Sequence, residues 1–150
     1  DPVFQIDIFA QSVQAAGGDS RLCMRPWMIH GHGNGWNDAP EIGQFADSIV
    51  KGGPPLPKLH RPETKPDTRI VHTKYEGNGK FTEAWIYYTT SSGKWKSRKW
   101  NFIQCSIGDK ELVSQKELPR AATAFLVYVF RDKGGYRDNH VASHLVEFKK

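Results

Sequence analysis

Two histidines, His30 and His32, stand two residues apart in a glycine-rich stretch, Ile29-His30-Gly31-His32-Gly33-Asn34-Gly35-Trp36. Imidazole titrates near neutral pH, so either ring could take up a proton and return it within one reaction. A short apolar run precedes the stretch and an amphipathic segment follows it. A histidine on a tight turn between a strand and a helix is a common way to present a general base on an α/β sheet. Such a base needs a nucleophile, and no G-x-S-x-G turn occurs among the 150 residues. The nucleophile is therefore expected outside this chain. The His-Gly-His pair could also be read as metal ligands. Two ligands are too few for zinc, and no cysteine or third histidine lies at ligand spacing. Asp38 and Glu41 could complete a site, but Glu41 has a simpler role at a helix start. No metal and no cofactor is expected.

A second group of residues lies at Gly93-Lys94-Trp95-Lys96-Ser97-Arg98-Lys99-Trp100, where four cations alternate with two indoles. The pattern allows three readings. It can be a hairpin whose outward Lys and Arg stems cover inward Trp rings. It can be a surface for a sugar or polyanion, made by Lys94, Trp95, Lys96, Arg98 and Lys99. Nucleic-acid surfaces combine the same ingredients, but that reading ranks last. His72, His140 and His144 share no companion spacing and read as structural.

The elements that must position these residues are legible in part. Residues 4–16 place Ile6, Phe9, Val13 and Ala16 at helical spacing, and Gly17-Gly18 stops the helix. Residues 21–28 read as a short strand. A helix over 39–51 has Asp38 as N-cap, Glu41 as capping-box partner, Pro40 in its first turn and Gly52-Gly53 at its end. Its apolar face is Ile42, Phe45, Ala46, Ile49 and Val50. Five prolines in 53–68 then mark a semi-rigid linker or a wrapping segment. Beyond it the chain reads as all-β, with strands at 69–75, 82–89, 98–106, 111–116, 123–131 and 140–148 separated by turn residues. Residues 125–130, Phe-Leu-Val-Tyr-Val-Phe, are apolar on both faces and predict a central strand. Trp85 or Trp100 is expected in the core opposite it.

Composition is that of a globular domain, 38% hydrophobic and 25% charged. No apolar run reaches the roughly 20 residues of a membrane span. Cys23 and Cys105 fall in different halves and read as two separate buried thiols. The net charge of +5 is uneven: residues 1–66 balance at −1 and residues 67–150 at +6. That asymmetry suggests two units. The chain starts at Asp1-Pro2 without an initiator Met, which reads as a mature product, a proteolytic fragment or a trimmed piece.

Residues 29–56, from the His loop through the capped helix to Pro54-Pro55-Leu56, resemble the end of an α/β-hydrolase of the acetyl-esterase/prolyl-oligopeptidase type. Residues 1–12, Asp1 through Ser12, are similar to that family's acid loop and following helix. Residues 87–100, Tyr87-Tyr88 through the hairpin to Trp100, are similar to a motif in the β-sandwich appended to some members. The resemblance implies His30 or His32 as general base, Asp1 as catalytic acid, and Trp36 lining the cleft or packing under the helix. It implies an ester or acetylated-sugar substrate, and an N-terminal hydrolase part supplying the serine. The expected fold is α+β, with a hydrolase helix-strand-helix segment over 1–53, a linker over 54–66, and an immunoglobulin/fibronectin-like sandwich over 67–150. The isolated chain is expected to be inactive. The alternative is a non-catalytic module whose sandwich binds a glycan or polyanion. The two apolar helix faces further suggest a partner chain or a homo-oligomer, with no membrane and no nucleic acid expected as partner.

Overall fold

A computed structural model describes residues 5–24, 40–77, 80–131 and 140–148. Helix α1 spans Ile6–Ala15 and helix α2 spans Pro40–Val50. The rest is β: β1 Lys58–Leu59, β2 Glu63–Thr64, β3 Val71–Glu76, β4 Phe81–Thr89, β5 Asn101–Ile107, β6 Glu111–Ser114, β7 Ala124–Arg131, β8 His140–Ala142 and β9 Val146–Glu147. All pairings are antiparallel, in the order β1-β3-β6-β5-β4-β7-β8, with β2 also on β3 and β9 also on β7. The fold is thus mostly β-sheet with two short helices.

The sheet curls toward a barrel because one strand serves two layers. Residues 101–104 of β5 pair with β4, whereas residues 105–107 pair with β6. A strand that changes partners midway turns a corner. The β3/β6 layer and the β4/β7 layer then face one another across a shared interior. Val71, Tyr75 and Leu112 from one layer meet Ala84, Ile86, Phe125, Val127 and Val129 from the other. The two ends of the sheet, β1 and β8, lie close together.

Strand β7 lies between β4 and β8, as its doubly apolar sequence predicts. Phe125, Val127 and Val129 fill the interior, while Leu126 and Tyr128 are buried on the outside. That outer face is covered by α1, through Ala10, Ile6 and Val13, and by Leu22 and Met24. Phe9, expected on this face, is exposed instead. Of the expected 21–28 strand, the described residues show one antiparallel bridge, Leu22 to Ala142, with the Ala142 amide donating to the Leu22 carbonyl at 2.8 Å.

Three further expectations are corrected. Neither Trp85 nor Trp100 enters the interior. Period two places Ala84 and Ile86 inward, so Trp85 faces outward opposite Tyr128. The face expected for α2 is mostly uncovered. Phe45 packs on the core, but Ile42, Ile49 and Val50 are exposed. The buried residue at the helix start is Glu41, whose Oε1 accepts the His140 amide at 2.8 Å and ties α2 to β8. The expected 140–148 strand is broken into two pieces that both pair with β7. One extra residue sits between them on their side of the ladder. There the Ser143 hydroxyl accepts the Val127 amide at 2.8 Å, so the buried donor keeps a partner.

The proline-rich stretch behaves as the wrapping segment. Its two short strands pair with β3, and Leu56, Pro57 and Leu59 are buried in the interior. Gly77 takes a φ of 92° directly over Pro57, where an added Cβ would stand 3.3 Å from the Pro57 Cα. Only glycine combines that dihedral with so close an approach.

Two outcomes follow from this packing. Leu59→Ala should destabilise the protein by about 2–5 kcal/mol in urea titration, where a residue in a solvated linker would change it by less than about 0.5. His144 generates a pH dependence. Burial lowers its pKa, and Arg61 and Lys58 lower it further. The unfolded chain therefore binds more protons than the folded one between the two pKa values, and stability falls as pH drops below about 6.5. In His144→Gln, urea midpoints measured on either side of that pH should show a smaller acid loss than in the wild type.

Candidate functional site

The cations and indoles of 93–100 sit on the connection between β4 and β5. Its tip is a short 3-10 turn, Trp95–Ser97. The Ser97 amide donates to the Lys94 carbonyl at 2.9 Å and the Arg98 amide to the Trp95 carbonyl at 3.1 Å. Arg98 closes the turn a second time, its Nε donating to the Gly93 carbonyl at 2.8 Å. The guanidinium carbon then lies 3.4 Å from the Trp95 ring centroid. Trp95 and Trp100 stack with centroids 6.3 Å apart and planes 16° from parallel. Both indoles pack on the outer-face core beside Tyr87. At the base, the Thr123 amide donates to the Thr89 carbonyl at 2.8 Å and its hydroxyl to the Ser91 carbonyl at 2.6 Å.

The candidate binding residues therefore divide by role. Trp95 and Trp100 hold the turn together with Arg98, which the inward-ring reading of the sequence had placed outward with the lysines. Lys94, Lys96 and Lys99 are exposed. Three ammonium groups are thus presented on a turn whose shape is set by hydrogen bonds and ring packing.

Below the turn lies a surface the sequence reading did not single out. Tyr87 and Phe102 are direct cross-strand partners, with ring centroids 6.3 Å apart. Phe102 also meets Trp85 edge-on at 5.4 Å. The contacts continue from Tyr87 to Tyr128 and from there to Phe130 and His140. Helix α1 and residues 22–24 cover the β7–β8 end of this stripe, leaving Trp85 and Tyr87 half-buried and Phe102 59% exposed. The Trp85 indole nitrogen donates to Glu83 Oε2 at 2.9 Å, which sets the ring's orientation. Period two on β4 and β5 was the available signal. What it lacked was the register that puts Phe102 opposite Tyr87.

Asp1, His30, His32 and Trp36 lie outside the described residues. Both cysteines are thiols. Cys105 on β5 is buried in the interior, and burial pushes its pKa up to about 12, which keeps it protonated and a poor nucleophile. Cys23 is only half-buried, against the expectation of two buried thiols. The Tyr87 phenol is also raised, first by burial and then by the Glu83 carboxylate, so it stays neutral. Among the described residues no group of three or more His, Cys, Asp or Glu side chains could hold a metal ion. No described helix is long and apolar enough to cross a membrane.

Comparison with known proteins leaves this geometry to speak alone: no protein-family model, no curated protein and no solved structure matches the chain.

Proposed function

We propose that this chain is a non-catalytic binding module that engages a polyanion through the 93–100 turn. One observation carries the reading. Lys94, Lys96 and Lys99 are exposed on a turn locked from within by Arg98, Trp95 and Trp100. A purely structural hairpin needs the locking residues but not three lysines on its outside. The +6 balance of residues 67–150 adds a longer-range attraction for negative charge. Attraction of this kind is screened by salt over about 10 Å at 0.1 M. The chain should be retained on immobilised heparin at low salt. Replacing the three lysines together by Gln should move elution to clearly lower salt with an unchanged circular dichroism spectrum. Wild-type flow-through, or unchanged elution of the triple variant, would overturn the reading.

The second reading is that of a serine hydrolase part, and the sequence of the His loop favours it. In this reading His30 or His32 is the general base, Asp1 the acid and Trp36 a neighbour of the cleft. The serine is supplied by an N-terminal hydrolase part, and the substrate is an ester or acetylated sugar. The apolar residues that α2 leaves exposed, Ile42, Ile49 and Val50, offer that part or a second copy of the chain a surface to cover. The chain alone then turns over p-nitrophenyl acetate no faster than its His30→Ala variant. Robust turnover that depends on His30 would refute the claim that the nucleophile lies elsewhere.

A further inference from the structure

We infer that the open half of the outer sheet face, formed by Trp85, Tyr87 and Phe102 at the base of the lysine turn, is a stacking platform for a single-stranded nucleic acid. This inference rests on the polyanion reading and narrows it.

Three observations point the same way. The first is placement. Tyr87 and Phe102 face each other across the β4–β5 ladder, and the lysine turn joins the ends of those two strands. One ligand can therefore touch the rings and the ammonium groups together. The second is exposure. Phe102 is 59% exposed, although a large apolar ring on a sheet face is ordinarily covered, and α1 shields only the β7–β8 end of the same stripe. The third is the chemistry of the pair. Exposed aromatic rings beside a cationic strip are what an unpaired strand uses, since each base offers a flat π-face and each linkage a negative charge.

Competing polyanions use only part of this surface. A duplex hides its base faces, so it would meet the lysines and leave the rings idle. A sulfated or uronic glycan would also meet the lysines. Its saturated rings could pack on the Trp85 indole and the Tyr87 phenol but gain little from the phenyl ring of Phe102, the most exposed ring of the three, so Phe102 is the residue that separates the two ligands. Glu83 qualifies the platform. Its carboxylate orients the Trp85 indole, at the cost of a negative charge beside the proposed strand. Gln at 83 keeps an acceptor for the indole N–H and removes that charge.

The test is fluorescence anisotropy of the full chain with a labelled oligothymidylate of about 16 nucleotides, alongside a duplex of equal length and the heparin column. Phe102→Leu keeps an apolar side chain at an exposed position and removes the ring. It should weaken oligothymidylate binding by about 5- to 150-fold, the range for loss of one stacked base, and leave heparin elution unchanged. Glu83→Gln should strengthen binding. The triple lysine variant should weaken binding to both polyanions and flatten the slope of log affinity against log salt by about 0.7 for each lysine that contacts a phosphate. Unchanged binding in Phe102→Leu, or a duplex bound as tightly as the single strand, would overturn the platform. Heparin binding without oligothymidylate binding would overturn it too, while leaving the polyanion reading intact. Failure to bind either polymer would overturn both.

Discussion

Strand β7 is the constraint on which the structure depends. Its six central residues are apolar on both sides, so each face must be removed from water by something else. The interior face is met by β3 and β6 across the curled sheet, with Phe125, Val127 and Val129 against Val71 and Leu112. The outer face cannot be met by the same sheet. It recruits α1 and the Leu22–Met24 segment, which bury Leu126, Tyr128 and Ala142. The N-terminal helix and the β region are joined because one strand needs covering twice.

The same demand organises the rest of the chain. The proline-rich segment cannot form long ladders, since proline has no amide to donate. It contributes two short pairings to β3 and sends Leu56 and Leu59 into the interior. Glu41 anchors α2 through a backbone amide of β8, a polar contact that an apolar-face analysis of the helix does not anticipate. With Phe45 on the core, most of the remaining apolar face of α2 stays outside.

Coverage also divides the outer face into two regions. Where α1 lies, the aromatic residues are structural. Beyond its reach, Trp85, Tyr87 and Phe102 remain partly open. The adjoining turn shows the same division within eight residues. Arg98 and the two indoles stabilise one another, and the lysines between them are left to solvent. Buried or stacked cations shape such a surface, whereas solvated ones give it its charge.

By itself the sequence determined the strands that carry strong period-two or doubly apolar patterns. It placed β3, β4, β6 and β7 closely, and it divided β4 and β7 into their two alternating faces, but it turned the Trp85 face of β4 inward where the structure turns Ala84 and Ile86. It determined the two helices as well, because apolar spacing and glycine stops act locally. It also singled out the lysine turn, since the charges lie within a few residues of one another. What lay beyond it were choices made by distant partners. Alternation divides a strand into two faces, but where both carry apolar residues it names neither the inward face nor the residues that meet across a ladder. So the pairing of Tyr87 with Phe102 and the outward position of Trp85 were decided only by tertiary structure. A helix's apolar stripe states a need for burial without naming what fills it, which is why Phe9 and Ile42 were misassigned. The break between β8 and β9 belongs to the same class, because an extra residue in a ladder is defined by its partner strand.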